Sequence, residues 1–380
     1  MSISIPFTPP TASMNRVRIV DLPGLPIDDE VRGQQAYHLI SALAIVHYAQ
    51  QRAGALKLPE AYRQDTPETR RELPRFVDQS LGSPDADVRA AAEAITRRLG
   101  RNLGHVLLTL HRGDAINRAA RPDWTDAEWE YWATIRHIWV GGGVMSGLMG
   151  ERMVRHAEAF LEEMRYGGRL RIARTPRPRN MPLLGAARYL PAATSTALCL
   201  DFGATSVKRA RLTFDAGTLT QVRPYATLPV EWQWQNSPEA AAGFEGQEVL
   251  DFVADAIART WGEARAGGTA LSPDVMLSVA AYVRRGELLG NGGYARMMLL
   301  AAAKRAGNDV RPALAEAVYA RTGERARICV IHDGTAAAAL HAGKPNAAVL
   351  IFGTAIGVGF PPETEANLRP LARDLDTGRS

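Results

Sequence analysis

The sequence is poor in cysteine and has no long apolar run, and each absence excludes a class of protein. Its 380 residues contain two cysteines, Cys199 and Cys329, both inside predicted strands. Two thiols cannot build a four-ligand cysteine zinc site, so no zinc is expected, and buried free thiols are favoured over a disulfide or a metal ligand. No apolar stretch reaches the about 18 residues that a membrane span needs, so no membrane partner is expected.

Basic residues are not concentrated anywhere along the chain. Lys and Arg together number 45 against 40 Asp and Glu, and the excess comes from scattered arginines. A nucleic-acid partner is therefore not indicated. The first residues lack the basic region and apolar core of a signal peptide, which leads us to expect a cytoplasmic protein. Residues 1–16 are rich in Ser, Thr and Pro and are predicted to be disordered.

What the sequence does contain is a set of strands that each end in a turn of glycine and other small residues. The four segments are Ile138–Gly147, Leu198–Leu212, Ile328–Leu340 and Val349–Phe360. Small residues let backbone N–H groups approach a bound anion closely. One such turn is most often only a turn, but four in one chain are hard to explain as core packing and favour a phosphate site.

The segment 198–212 reads as a β-hairpin, and residues 218–229 continue it as a third strand. Helical periodicity and alternation predict further elements. Helices are predicted over 33–53, 87–110 and 147–166, a strand over 17–22, and loops with short helices over 54–85. The helix after Gly147 would bring partial positive charge towards a bound anion.

As a set, these segments resemble the acetate and sugar kinase/heat-shock chaperone/actin superfamily, and within it the ROK group of sugar kinases. DFGATSVKRARL resembles the first phosphate motif, VIHDGTAAAAL the catalytic-Asp segment, FGTAIGVG the second phosphate motif and IWVGGGVMSG the adenosine motif. The resemblance implies an α/β, two-lobed actin-like ATPase (ribonuclease H-like) fold that uses ATP and Mg²⁺. The implied reaction phosphorylates a hydroxyl of a sugar or sugar-like small molecule, such as a hexose, an amino sugar or a cyclitol.

The order of the motifs departs from that family, in which the adenosine motif comes last. Here it precedes the first phosphate motif, so the chain resembles a circular permutant whose family ends are joined through 191–196. One lobe is then expected to comprise 17–190 together with 346–380, and the other 197–345. The strand at 349–352 should share a sheet with the strand at 137–140, and the four turns should converge on one cleft.

The resemblance also assigns roles to individual residues. Asp333 would be the general base and contact the substrate, although it could also cap the helix that follows. Asp201 would hold hydrated Mg²⁺. Lys208 would reach a phosphate, unless strand alternation turns it to solvent. The remaining phosphate contacts would be Gly203, Ala204, Thr205, Gly353, Thr354 and Gly357, and the adenosine contacts Gly141, Gly142 and Gly143.

Several departures leave the substrate open. His332 stands where the family has an Asn that touches the substrate, and Asn291 in a turn-rich loop is the other predicted contact. The family's Glu-x-Gly-His and cysteine zinc motifs are absent, which leaves the sugar unidentified. The alternatives are a non-catalytic ROK-type sugar sensor or regulator, for which 1–60 shows no convincing helix-turn-helix, and a carbohydrate-binding pseudokinase. A homodimer is left open.

Overall fold

A computed structural model describes most of the chain, with gaps. The described residues are 7–230, 246–268, 270–290, 293–297 and 309–377. The predicted substrate contact Asn291 lies outside the described residues. Within them, no helix is long and apolar enough to cross a membrane.

Among the described residues, six α-helices precede the first strand, and strands and helices are mixed from there on. The α-helices are α1 (Ala36–Ile40), α2 (Ala42–Gln51), α3 (Pro67–Ser80), α4 (Ala86–Arg112), α5 (Ala115–Ala119), α6 (Asp126–Thr134), α7 (Leu148–Glu163), α8 (Met181–Ala187), α9 (Gly246–Ala266), α10 (Arg311–Thr322) and α11 (Asp333–Ala338). The strands are β1 (His137–Gly141), β2 (Arg171–Arg174), β3 (Thr196–Phe202), β4 (Ser206–Asp215), β5 (Thr218–Pro229), β6 (Asp274–Val279), β7 (Tyr282–Arg284), β8 (Glu287–Leu289), β9 (Arg327–His332), β10 (Ala347–Phe352), β11 (Ile356–Gly359) and β12 (Leu371–Asp376).

The chain forms two compact units. The meander unit comprises Met1–Pro10, Pro182–Lys344 and Gly359–Ser380, and the helical unit comprises Thr11–Met181 and Pro345–Val358. The predicted lobe boundaries differ from this division at both ends of the returning segment. Only 345–358 joins the helical unit, because β12 pairs with β5 in the sheet of the meander unit. Residues 182–190 also belong to the meander unit, where Leu183 and Leu184 enter the core beside Cys199.

The meander unit is built on a six-stranded sheet of order β12-β5-β4-β3-β6-β9. Strands β3, β4 and β5 form the predicted antiparallel meander, and β6 and β9 continue it in parallel with β3. Alternate residues of β3 face two different cores: Leu198 and Leu200 pack with α9 and α10, whereas Ala197 and Cys199 pack with α8 and α11. This period-two alternation explains why the central strands are apolar throughout.

The helical unit holds a four-stranded sheet of order β11-β10-β1-β2. Strand β1 pairs in parallel with both β10 and β2, so the prediction that 137–140 and 349–352 share a sheet is confirmed. Helices α4 and α7 pack closely where α4 carries glycine. A Cβ added at Gly100 would lie 2.6 Å from the Met153 carbonyl oxygen, and one at Gly104 would collide with the Phe160 ring.

Three local predictions differ from the structure in this unit. The helix expected over 33–53 is broken at Ser41, whose side chain accepts from the Ala44 N–H and starts a second helix. Residues 54–85 contain the 14-residue α3 rather than only short helices, with Thr66 as its N-cap. The strand expected over 17–22 is reduced to an isolated bridge between Arg18 and Gln35.

The prediction of disorder for residues 1–16 is wrong for the described residues 7–16. Met14 is fully buried in the helical unit, and the Asn15 side chain bonds both the N–H and the C=O of Ile356, at 2.9 and 2.8 Å. In the meander unit, Thr8 is buried against Thr335. The composition of this segment predicts disorder, but its buried partners lie more than 300 residues away along the chain, where local composition cannot reveal them.

Candidate active site

In the meander unit, polar side chains stand at the carboxyl ends of three neighbouring parallel strands. In the register of the sheet, Asp201 of β3 lies opposite Ser278 of β6, and Ser278 lies opposite Ile331 of β9. Asp333 follows β9 directly and begins α11. The carboxyl ends of parallel strands are where open α/β sheets bind their ligands, so this edge is the candidate active site.

Asp201 is buried and held by two partners. Its Oδ2 accepts from Lys208 Nζ at 2.7 Å, and its Oδ1 accepts from Ser278 Oγ at 3.0 Å. Lys208 stands directly opposite Asp201 in the β3–β4 register, so its side chain lies on the face of Asp201. Each carboxylate oxygen has a second lone pair, which leaves Asp201 able to accept from a metal-bound water.

Asp333 has the properties of a proton acceptor. Burial, and then the charge of Asp201, raise the pKa of its carboxyl from 3.8 to about 7, while the Gly334 N–H and Lys208 act in the opposite direction. The Gly334 N–H donates to Asp333 Oδ1 at 2.7 Å, and 18% of the side chain remains exposed. A carboxyl with a pKa near neutrality and some access to solvent suits general-base work at physiological pH.

The N-cap of α11 is His332 and not Asp333. The imidazole Nδ1 accepts from the Thr335 N–H at 3.3 Å, and the ring stacks on Tyr282 with centroids 4.5 Å apart. Burial lowers the pKa of His332 to about 3, so the ring is neutral. Its side chain is only 5% exposed, and Nε2 lies 3.2 Å from Asp333 Oδ1. In place of the predicted substrate contact, the structure shows His332 as an internal neighbour of Asp333.

The turn between β3 and β4 is made of half-buried small residues. The Gly203 N–H donates to the Ser206 carbonyl at 3.1 Å, and the Tyr294 hydroxyl donates to the Gly203 carbonyl at 2.8 Å. Within the described residues, the N–H groups of Ala204 and Thr205 have no acceptor in the protein. These two donors can therefore meet an anion, as the resemblance implies for this turn.

The three glycines at the end of β1, in the helical unit, differ in whether packing requires glycine. A Cβ at Gly141 would overlap the Met181 sulfur, and one at Gly142, which has φ +96°, would lie 2.7 Å from the Phe352 nitrogen. Both are required by close packing. Gly143 is exposed, and a Cβ there would meet nothing within 4 Å. Of the three predicted adenosine contacts, Gly143 is the one with open surface.

The second glycine turn of the helical unit joins β10 to β11. The Gly353 N–H donates to the Ala355 carbonyl at 3.2 Å, and the Gly353 carbonyl accepts from the Ala42 N–H at 2.9 Å. Gly353 and Thr354 are half-buried, and Gly357 lies within β11. The turn is tight and free of bulky side chains, and its contact with phosphate stays a prediction.

The N-terminus of α7 does not offer the positive charge expected from the sequence. Asp78 of α3 accepts from the Met149 N–H at 2.7 Å, and a Cβ at Gly147 would overlap the Asp78 carboxylate. A carboxylate of the protein therefore already occupies this helix end. Local sequence could not show this cap, because Asp78 lies 71 residues away from Met149.

The candidate active site fits a magnesium ion that arrives with a phosphate ligand. Among the described residues, no group of three or more His, Cys, Asp and Glu side chains is arranged to hold a metal. Mg²⁺ usually keeps several waters and takes one or two carboxylates together with phosphate oxygens. Asp201 supplies the one carboxylate of that donor set. The two thiols are free, and burial raises the pKa of both Cys199 and Cys329.

Sequence reasoning missed Ser278, Tyr282 and Tyr294. Ser278 could have been found, since it interrupts an apolar strand near its carboxyl end as Asp201 does. No local pattern marks the two tyrosines. No protein-family model matches the chain, and no curated protein matches it. The functional argument therefore depends on the candidate active site itself.

Proposed function

We propose that the chain is an ATP-dependent phosphotransferase with an alcohol acceptor, of the sugar-kinase type. The observation that carries the proposal is the pair of carboxylates at the ends of β3 and β9. Asp201 is neutralised by Lys208, whereas Asp333 has a pKa of about 7 and keeps Oδ2 without a partner among the described residues. Phosphoryl transfer needs one carboxylate that helps to bind the metal and one that accepts the proton of the acceptor hydroxyl.

The roles of the residues follow from their contacts. Asp333 Oδ2 accepts the proton of the acceptor hydroxyl as its oxygen attacks phosphorus, and later releases it to solvent. Bound Mg-ATP would supply the γ-phosphoryl group and leave as Mg-ADP. Asp201 would hold a hydrated Mg²⁺ through its bound water, and Lys208, which donates to Asp201 here, also carries the positive charge that a phosphate attracts. The N–H groups of Ala204 and Thr205 hold phosphate oxygens.

The helical unit has its own part in this proposal. Within that unit, the turn of Gly353, Thr354 and Gly357 would accept phosphate, and Gly143 would give adenosine access to backbone. The tight, unobstructed geometry of both turns supports these roles. No step of the proton transfer depends on them.

The topology supports the finer assignment of the fold that we propose, a circularly permuted actin-like ATPase. A three-stranded antiparallel meander continued by two parallel strands is compatible with a ribonuclease H-like lobe. The parallel pairing of β1 with β10, more than 200 residues apart in sequence, is what the permuted motif order requires. The substrate we propose is a hexose, an amino sugar or a cyclitol, because phosphoryl transfer to a hydroxyl is the shared chemistry.

The test is ADP release from Mg-ATP in the presence of a panel of hexoses, amino sugars and cyclitols. At least one acceptor should stimulate release, and Asp333→Asn should reduce that turnover by on the order of 10²–10⁴-fold while ATP still binds. Asp215→Asn is the matched control, since Asp215 is exposed at the end of β4 in the same unit. Sugar binding without ADP release would favour the non-catalytic sensor, and turnover retained in Asp333→Asn would remove Asp333 as the base.

A further inference from the structure

The N-terminal segment of the meander unit reaches the helix that begins with Asp333. Thr8 Oγ1 lies 2.8 Å from Thr335 Oγ1, and Thr335 Oγ1 lies 3.2 Å from His332 Nδ1. Thr8 and His332 are each 5% exposed and Thr335 is 2% exposed. Because all three side chains are buried, their polar atoms depend on one another for hydrogen bonds.

These contacts fix which imidazole nitrogen carries the proton. The Thr335 N–H is an obligate donor, so His332 Nδ1 must accept and cannot itself be protonated. In the neutral ring the proton then lies on Nε2, the nitrogen 3.2 Å from Asp333 Oδ1. The Thr335 hydroxyl can donate to Nδ1 as well, provided that the Thr8 hydroxyl donates to Thr335 Oγ1. The donors then run in one direction, from Thr8 through Thr335 to the imidazole, whose Nε2 lies 3.2 Å from Asp333 Oδ1.

The two oxygens of Asp333 are left in different surroundings. Oδ1 receives the Gly334 N–H at 2.7 Å and faces His332 Nε2, while Oδ2 has no hydrogen-bond partner among the described residues. A carboxylate held at one oxygen has its other oxygen fixed in direction, which is what a base needs in order to meet an acceptor hydroxyl.

We propose that His332 is a positioning residue for Asp333, and that the Thr335 N–H, together with the Thr8–Thr335 hydroxyl pair, holds its imidazole in the Nε2-protonated tautomer. The catalytic consequence depends on the proposed function, whereas the tautomer does not. His332 thereby takes a role inside the site instead of contacting the substrate. The N-terminal segment becomes part of the active site through Thr8.

The first test needs no turnover. The ¹⁵N spectrum of histidine-labelled protein should show His332, assigned by its loss in His332→Asn, as a neutral ring protonated on Nε2 at neutral pH. A ring protonated on Nδ1, or a charged ring, would overturn the proposal even if the protein is a kinase. Conversely, the expected spectrum in a protein that releases no ADP with any acceptor would leave the positioning geometry intact and remove the proposed function.

The second test separates positioning from folding. Asn is a good N-cap, so His332→Asn keeps an acceptor for the Thr335 N–H but loses the Nε2–H group that lies 3.2 Å from Asp333 Oδ1. We expect kcat for ADP release to fall between about 10- and 100-fold while KM for ATP and the melting temperature change little. Unchanged kcat would show that His332 is only a cap.

Thr8 supplies an independent variant, which remains informative if His332→Asn fails to fold. Thr8→Val removes the hydroxyl with little change of shape, and Thr8→Ser restores it. We expect kcat to fall by about threefold or more in Thr8→Val and to recover in Thr8→Ser, since the Thr335 hydroxyl loses the donor that directs its own hydrogen to Nδ1. Equal kcat in Thr8→Val and the wild type would exclude Thr8 from the positioning chain.

Discussion

Lys208 and Asp201 stand directly opposite each other on the antiparallel strands β4 and β3, and Lys208 Nζ donates to Asp201 Oδ2 across 2.7 Å. Asp201 is nearly fully buried, so the ammonium compensates its charge where water cannot. The two charges act on Asp333 in opposite directions, since Asp201 raises the pKa of Asp333 and Lys208 lowers it. Burial is the larger cause of the raised pKa of Asp333, and the ion pair adjusts that pKa through these two opposing charges.

Lys208→Met should weaken catalysis at neutral pH through Asp333. Without the ammonium, the charge of Asp201 is uncompensated and the pKa of Asp333 rises above about 7. A base must be ionised to accept a proton, so the acidic limb of the kcat/KM profile for ADP release should move to higher pH. Lys344→Met, which removes an exposed lysine of the same unit, should leave the profile unchanged. An unshifted limb in Lys208→Met would contradict this prediction.

Asp333 should also reduce the stability of the fold at neutral pH. Its pKa is raised from 3.8 to about 7, so the folded protein binds this proton more tightly than the unfolded chain does. The contribution of Asp333 to the free energy of unfolding should therefore fall as pH rises from about 4 to about 7, by at most about 4 kcal/mol, and stay low above that.

The variant Asp333→Asn isolates this contribution, because the amide does not titrate. In urea unfolding the variant should be more stable than the wild type at mildly alkaline pH. It should lose that advantage in acid, where the Asp333 carboxyl is protonated in both the folded and the unfolded wild type. Asp215→Asn, at an exposed position, should follow the wild type throughout. If Asp333→Asn is no more stable than the wild type at alkaline pH, then the surroundings of Asp333 do not destabilise its ionised form.

Tyr294 should matter for nucleotide binding although it lies beneath the β3–β4 turn. Its buried hydroxyl donates to the Gly203 carbonyl at 2.8 Å, and its ring packs against Phe202 with centroids 5.6 Å apart. Tyr294→Phe keeps the ring and removes the bond, so KM for Mg-ATP should rise by several-fold and stability should fall by about 1 kcal/mol. Tyr319→Phe, at a half-exposed tyrosine, is the control. A wild-type KM for Mg-ATP in Tyr294→Phe would show that nucleotide binding at the turn does not depend on the Tyr294–Gly203 hydrogen bond.

Much of the candidate active site follows from local sequence. Asp201 at the end of an apolar run, followed by a short turn and an alternating strand, predicts a hairpin, and the hairpin brings Lys208 opposite Asp201. The assignment of Asp333 to the end of a buried strand likewise needs only its neighbours. Strand periodicity and turn chemistry operate over a few residues, which is why these features could be predicted.

The remaining contacts depend on residues that are remote in sequence and carry no local signature. Thr8 contacts Thr335, Asn15 contacts Ile356 and Asp78 caps Met149, all through single side chains that would look ordinary in any loop or helix. Local sequence leaves Asp333 open as the cap of α11, since carboxylates are common N-caps, but the imidazole of His332 has that position. Tertiary packing decides which side chain caps a helix or bonds a remote residue, and the local sequence pattern carries no information about that packing.

Gly142 and Gly143 adjoin each other after β1, and the structure separates their roles. Gly142 has φ +96°, and a Cβ there would lie 2.7 Å from the Phe352 nitrogen, so packing alone requires glycine. Gly143 has ordinary backbone and nothing within 4 Å of an added Cβ. A side chain at Gly143 therefore costs the fold little and would occupy only the space that we assign to the adenosine.

Gly142→Ala should lower the free energy of unfolding by at least about 1–2 kcal/mol, because alanine is strained at positive φ and meets the backbone of Phe352. Gly143→Val should melt at the wild-type temperature but bind ADP and ATP more weakly in calorimetry, since its methyl groups fill the approach to the backbone. Gly168→Ala gives a second reference for Gly142→Ala, as it has positive φ without a neighbour to meet. Wild-type nucleotide affinity in Gly143→Val would remove this turn from the nucleotide site, and a destabilised Gly143→Val would show that packing, rather than a ligand, keeps this glycine.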